Sequence, residues 1–439
     1  MAVATAQGQA GTGTAPPGSA ARGRWESPHR LWALLVVAVL AVLLAGSVAA
    51  VGLSGRESTA EHTDQATEAL YSEVQDLSYS LADANATAAT ALLIGQVTPK
   101  TSTDRFGSDI TQVEDLLSAA SQQVTGDAKA SGQLTKLAEQ VPEYAQWIGE
   151  ALADNRFGYP VAGGYLREAS TLYTSAMAVE VDTVVSEEQA ATQDAMSSAS
   201  STDWLTVGIC VLALIALTWV SSGIARSTKR RMNPGLLAAK LAVLVLLGWA
   251  FVASVGSSTA VSTARGDFNQ VVQTQVGAAQ SAKAEAYVAL QQIARGEDGG
   301  TDQSQADSAL GALAGVGKSV SSAGATGAAK AVGGDVTALV GCDQSAIAQA
   351  SGGNYQQAII STVGQGSNVG LGGCEPDAKN VRTDLLALTQ QGQARYDADM
   401  ASVRSSYAGG GALVLPLALG LLGAVAAAWG INRRLAEYR

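Results

Sequence analysis

The chain has 439 residues, of which 47% are hydrophobic but only 5% aromatic, and its formal net charge is −11. This composition, rich in alanine and glycine, is typical of long, closely packed helices that lie partly in lipid, and not of an ordinary water-soluble core. Three cysteines and two scattered histidines exclude a zinc site, so we expect no metal and no cofactor, and no nucleic acid among the partners.

Four apolar segments are long enough to cross a bilayer, which takes about 20 residues. They are residues 31–53, 204–224, 236–256 and 411–431. Residues 1–30 come before them, are rich in Ala, Gly, Thr and Pro, and are expected to be disordered. An alternative is that the first segment is a cleaved signal peptide, because Ser47-Val48-Ala49 resembles a cleavage site. Its apolar run of about 22 residues is long for a signal, which favours retention.

The charge of each segment outside the spans predicts the side of the membrane on which it lies. Residues 54–203 hold 7 basic and 23 acidic residues, and residues 257–410 hold 9 and 13. The short pieces are basic, above all the hinge between the second and third spans, residues 225–235, which carries Arg226, Lys229, Arg230 and Arg231. By the positive-inside rule, this hinge, the N-terminus and the tail 432–439 are cytoplasmic, and both long acidic regions are outside. The sequence therefore predicts a multi-pass plasma-membrane protein.

The two long regions are predicted to be helical bundles. Leu70, Val74, Leu77 and Leu81 follow an alternating four-three spacing, which Phe268, Val272 and their successors repeat in the second region. Gly- and Pro-rich breakers divide each region into about four helices. We therefore expect an all-α protein with two tandem extracytoplasmic four-helix bundles, 54–203 and 257–410, whose end helices run into the membrane spans.

This plan resembles the sensory half of bacterial chemoreceptors and sensor kinases. It resembles more closely the GlnX family of actinobacterial membrane proteins, through the stretches DANATAATALLIG (83–95) and NRFGYPVAGGYLREAS (155–170). In that family the protein is associated with an amino-acid-binding lipoprotein, GlnH, outside and the serine/threonine protein kinase G inside. The resemblance implies a relay of extracellular amino-acid status to a cytoplasmic kinase.

Other functions fit the residues less well. A transporter would need ionisable groups at the bilayer midplane, and an enzyme would need a convergent catalytic set; neither is present in the sequence. Only about eight residues follow the last span, so any output is expected to pass to a separate protein. The basic hinge is one candidate contact, although basic loops also orient membrane proteins and touch anionic lipid. A structural or scaffolding envelope protein is the alternative to a signal relay.

Three further sites are predicted besides the hinge. The membrane-distal turns of the first bundle concentrate residues typical of interface hot spots, and partner binding is expected there unless the rings only cap the bundle: Arg105, Phe106, Arg156, Phe157 and Tyr159. Small residues recur every four positions in the last span and are expected to pack on another membrane helix, within the chain or in a homodimer, unless they face lipid: Ala412, Gly420, Ala424 and Ala428.

The third site is a disulfide between Cys342 and Cys374. Both lie in the second outer region, on the oxidising side, whereas Cys210 is inside a span. The bridge would tie the Gly-rich excursion that ends near Cys374 to the preceding helix, provided that the two Cα atoms come within about 7 Å. The alternative is two free thiols in a reducing compartment, which would overturn the assigned topology.

Overall fold

The structure, a computed structural model, describes residues 27–62, 68–95, 100–124, 127–200, 204–228, 233–295, 300–323, 327–365, 372–407 and 411–436. Within these residues there are thirteen α-helices, one π-helical stretch and no strand, which confirms the all-α prediction. In chain order they are α1 (Ser27–His62), α2 (Glu68–Ile94), α3 (Lys100–Gln123), α4 (Ala128–Arg156), α5 (Ala162–Leu172), the π-helix (Tyr173–Met177), α6 (Ala178–Ser200), α7 (Trp204–Thr228), α8 (Pro234–Ala294), α9 (Thr301–Ala323), α10 (Gly327–Ser351), α11 (Tyr355–Val363), α12 (Glu375–Tyr407) and α13 (Gly411–Ala436).

Four of these helices contain a stretch that is long and apolar enough to cross a membrane: Trp32–Gly52, Leu205–Ala225, Pro234–Val252 and Leu413–Arg433. Each of the four predicted spans overlaps one of these stretches, and four such apolar helices fit a multi-pass membrane protein. The chain divides into two compact units. The first, here called the membrane unit, consists of α1 up to residue 50, α7, α8 up to residue 250, and α13 from residue 414.

Small residues let the helices of the membrane unit approach closely. A Cβ atom added to Gly46 of α1 would lie only 2.9 Å from the Cα of Gly420 of α13, and one added to Gly235 would lie 2.6 Å from the Cα of Gly430. Ala424 is buried and Ala428 is half-buried. The small-residue face of α13 therefore packs on α1 and α8 within the chain. Ala412 lies outside the residues whose side chains are described.

Enlarging Gly420 is expected to separate α13 from α1. Because the nearest atoms are backbone atoms of Gly46, a Gly420→Leu side chain cannot be accommodated by a rotamer change, and overpacking of this kind costs about 1–3 kcal/mol. We expect a lower apparent melting temperature in detergent. Gly248→Leu is the matched control, because a Cβ there meets nothing within 4 Å. Equal melting temperatures for the two variants would contradict the close contact.

The second compact unit, here called the bundle unit, combines two segments. The first segment consists of α2 to α6, and the second of α8 from residue 251 together with α9 to α12. The helices end at breakers: Gly95 and Gly158 have φ values of +86° and +73°, a left-handed conformation that glycine adopts without strain. Asp127 caps the N-terminus of α4, and its carboxylate accepts hydrogen bonds from the backbone N–H groups of Lys129 and Ala130.

The two segments pack closely on each other, because one apolar cluster contains buried residues of both, while two further clusters consist of buried residues of the second segment. Helix α2 is buried on nearly every side, and Ala282, Ala286 and Ala289 of α8 pack into the same apolar cluster as its alanines. The rings of Tyr71 and Phe268 lie 5.1 Å apart at one end of the contact between α2 and α8. Thr90 donates a hydrogen bond to Glu285 further along both helices, so the two run parallel. The alanine-rich faces of α2 and α8 thus pack the two segments against each other and also contribute to the apolar core within each segment.

Candidate functional site

A cluster of buried charges joins the two segments of the bundle unit. At its centre is Arg382 of α12, whose side chain is 8% exposed. Its Nη1 atom lies 2.9 Å from Asp83 Oδ1 of α2 and 3.0 Å from Glu285 Oε2 of α8, and its Nη2 atom lies 3.4 Å from Glu375 Oε1. One guanidinium thus holds three carboxylates that come from both segments. We call this set, with Arg105 and Asp343, the interface cluster.

Arg105 extends the cluster from the first segment. Its Nη2 atom lies 2.7 Å from Asp83 Oδ1, and its Nη1 atom lies 3.7 Å from Glu375 Oε1 of the second segment. The sequence places Arg105 in a membrane-distal turn, whereas in the structure it is half-buried in a helix. Helix α3 begins at Lys100, so Arg105 lies in its second turn and points toward α2. The Ser/Thr-rich stretch before it indicates a turn in the sequence, but it forms the start of this helix.

The disulfide positions two further carboxyls. Cys342 and Cys374 are bonded with their Cα atoms 5.7 Å apart, which confirms the predicted bridge. Asp343 follows the first cysteine on α10, and Glu375 follows the second as the first residue of α12. Gly373 has a φ of +65°, and a Cβ there would lie 2.3 Å from the carbonyl oxygen of Ser361, so only glycine fits this return of the loop.

The carboxyl groups beside the disulfide have raised pKa values. Burial raises the pKa of Asp343 to about 8, and nearby Glu285 adds to the rise. Burial likewise raises the pKa of Glu375 and Glu285 adds to it, although Arg382 lowers it in part. The cause is that the cluster contains more carboxyls than guanidiniums in a place from which water is excluded. At the edge of the cluster, burial and the charge of Asp83 raise the pKa of Asp109 to about 6.

The other residues of the predicted tip differ in burial. Phe106 is 8% exposed and packs on Tyr144, with ring centroids 6.3 Å apart, so it belongs to the core and not to an exposed tip. Its spacing from other buried residues of α3, Val113 and Leu117, is that of one helical face and could have revealed this. Arg156, by contrast, is exposed at the end of α4.

The turn after α4 presents an exposed aromatic pair, here called the aromatic turn. Phe157 and Tyr159 are 72% and 55% exposed, and their rings stack with centroids 5.7 Å apart. The backbone is fixed by hydrogen bonds from the N–H groups of Gly158 and Tyr159 to the carbonyls of Asn155 and Asp154. Asn155 also donates to the carbonyl of Leu92 on α2. The two rings are therefore carried by a turn whose backbone conformation is held by hydrogen bonds.

The hinge residues Arg226, Lys229, Arg230 and Arg231 lie outside the described residues and side chains. Among the described residues, no group of three or more His, Cys, Asp or Glu side chains is arranged to hold a metal ion.

The architecture defines a class: a helical membrane protein with four spans and a helical bundle unit. Residues 59–197 match the family model of the actinobacterial sensor domain, which supports a sensor-type membrane protein. The matched stretch contains Asp83, Arg105 and the aromatic turn, whereas the cluster residues of the second segment lie outside it. No curated protein and no solved structure matches the chain significantly.

Proposed function

We propose that this protein is a transmembrane signal relay that passes the state of an extracytoplasmic amino-acid-binding protein to a separate serine/threonine kinase in the cytoplasm. The observation that carries the proposal is the match of residues 59–197 to the actinobacterial sensor domain. The resemblance to the GlnX family supplies the two partners, a GlnH-type lipoprotein and protein kinase G. Both chain ends and the basic hinge are then cytoplasmic, in a plasma membrane.

The aromatic turn is the surface best suited to the extracytoplasmic partner. Exposed aromatic side chains beside an arginine are enriched at binding hot spots, and a preformed turn loses little conformational entropy on binding. Phe157, Tyr159 and Arg156 meet this description, and Val161, 49% exposed, extends the apolar surface. On the cytoplasmic side, the basic hinge is the contact we assign to the kinase, with anionic lipid as its other neighbour.

Site-specific photocrosslinking in cells tests the proposal. A benzophenone amino acid in place of Tyr159 is expected to crosslink an extracytoplasmic solute-binding lipoprotein, identified by mass spectrometry. The same probe in place of Val179 of α6 is the matched control, because this side chain is 54% exposed, a similar fraction. Crosslinks that are equal at both positions, or that join only structural envelope proteins, would favour a scaffold over a relay.

Alanine replacement separates binding from folding at the same surface. Phe157→Ala together with Tyr159→Ala is expected to reduce lipoprotein capture at least about tenfold, since hot-spot truncations cost 2 kcal/mol or more. The melting temperature should stay unchanged because both rings are largely exposed. Phe106→Ala should behave oppositely, with a lower melting temperature, because it removes a core ring. Full capture by the double variant would exclude the aromatic turn as the contact.

A further inference from the structure

The interface cluster holds more negative charge than its arginines can balance. Asp83, Glu285 and Glu375 lie within 4 Å of one or both guanidiniums, Asp343 lines a cavity with Glu285 and Glu375, and Asp109 lies at the edge. An unpaired buried carboxylate is costly in free energy, and the usual outcome is that it takes up a proton. Protonation of two carboxyls would leave two carboxylates for the two arginines.

The geometry indicates which two carboxyls take up the protons. Asp343 is 3% exposed, and no hydrogen bond or ion pair of its side chain is seen among the described residues. It lines a cavity of about 10 Å³ together with Glu285 and Glu375, a space about as large as one water molecule. Glu375 lines the same cavity, and its oxygen lies 3.4 Å from Arg382 and 3.7 Å from Arg105, which are the longest ion pairs of the cluster.

We propose that Asp343 and Glu375 form a proton-sensing site that couples the two segments of the bundle unit. When both are protonated, the arginines bind the remaining carboxylates and the segments hold together. When both ionise, repulsion among the carboxylates weakens the contact between α2, α3, α8, α10 and α12. This coupling lies within the bundle unit and does not depend on the identity of the relay partners.

The site has charged or titratable neighbours on each of the other helices that form it. They are Tyr79 and Asp83 on α2, Arg105 and Asp109 on α3, Glu285 on α8, and Asp377 and Arg382 on α12. Helix α11 contributes the hydroxyl of Thr362.

The sign of the pH dependence follows from linkage. A carboxyl whose pKa is about 4 in the unfolded chain and about 8 in the folded protein stabilises the fold most below pH 4. That stability is lost progressively as the pH rises toward 8. Asp76 and Asp109, whose pKa burial raises to about 6, act in the same direction but mostly at lower pH. The range from pH 6.5 to 9 therefore isolates the proposed site.

The test uses the full-length protein in lipid nanodiscs, with the apparent melting temperature measured at one scan rate. We expect a fall of about 5 °C or more between pH 6.5 and 9 in the wild type. Asp343→Asn, which mimics the protonated side chain, should melt higher than the wild type at pH 9 and show a flatter profile. Asp307→Asn, at an exposed position of α9, should keep the wild-type slope.

A distance measurement tests the coupling without relying on stability. Nitroxide labels on cysteines introduced at the exposed positions Ser118 of α3 and Thr337 of α10 report on the two segments. We expect a narrow distance distribution at pH 6.5 and a longer or broader one at pH 9, and Asp343→Asn should keep the narrow one at pH 9. A wild type with unchanged melting temperature and unchanged distances across this range would overturn the proposal, as would an identical slope in Asp343→Asn.

Discussion

Replacing Arg382 by methionine is expected to destabilise the bundle unit by about 3–5 kcal/mol, which would be among the largest losses from a single substitution in this protein. The side chain is 8% exposed and lies within 3.4 Å of Asp83, Glu285 and Glu375. Methionine fills much of the same volume, so the loss measures unpaired buried carboxylates and not a cavity. Urea unfolding followed by a spectroscopic probe of the bundle unit provides the measurement.

A second substitution should recover part of this loss. With Arg382 absent, Glu285→Gln removes one of the carboxylates left unpaired, so the double variant is expected to be more stable than Arg382→Met alone. The exposed pair of Lys100 and Asp104, with side chains 85% and 59% exposed, provides the control: Lys100→Met should change little. An Arg382→Met protein as stable as the wild type would show that the cluster does not join the segments.

The loss should also depend on pH in a definite direction. Glu375 and Asp343 carry protons at pH 6 and lose them as the pH rises toward 8.5, so the negative charge left unbalanced is smaller at the lower pH. Arg382→Met should therefore be less damaging at pH 6 than at pH 8.5. A loss of the same size at both pH values would indicate that packing and not charge is what Arg382 provides.

Helices and spans could be predicted because they depend on local sequence. The spacing of Leu70, Val74 and Leu77 fixes one helical face, and breakers such as GEDGG (296–300) mark the ends. The disulfide could also be predicted, since it follows from the compartment and from the position of two cysteines around one loop. In each case the determining residues lie within a few turns of each other or are few in number.

The interface cluster could not be predicted, because its contacts join distant parts of the chain. Asp83 and Arg382 are separated by 299 positions, and no periodicity relates them. A weak signal was nevertheless present: Asp83 and Glu285 are charged residues inside the alanine-rich stretches ADANA (82–86) and AKAEA (282–286). Charge in a stripe that is otherwise small and apolar indicates a buried partner, since an unpaired charge there would be too costly. The partner itself becomes visible only in the fold.

Removal of the disulfide is expected to cause the second large loss of stability. Cys342 and Cys374 are 32 positions apart, and on the chain-entropy model a bridge of this span stabilises the fold by about 3–4 kcal/mol. Cys342→Ser together with Cys374→Ser is expected to lose that amount in urea unfolding, and reduction of the wild type should lose about as much. Cys210→Ala, inside a membrane span, is the control and should leave the effect of reductant unchanged.

Removal of the disulfide should weaken not only the loop but also the contact between the two segments. Because Glu375 follows Cys374 and pairs with Arg382 and Arg105, a chain freed at Cys374 no longer holds that carboxylate in place. The serine variant is therefore expected to show a weaker pH dependence between pH 6.5 and 9 than the wild type. Alkylation of unreduced, unfolded wild-type protein should modify Cys210 alone. Modification of three thiols would show that the bridge is absent and would also count against the placement of this region on the oxidising side of the membrane.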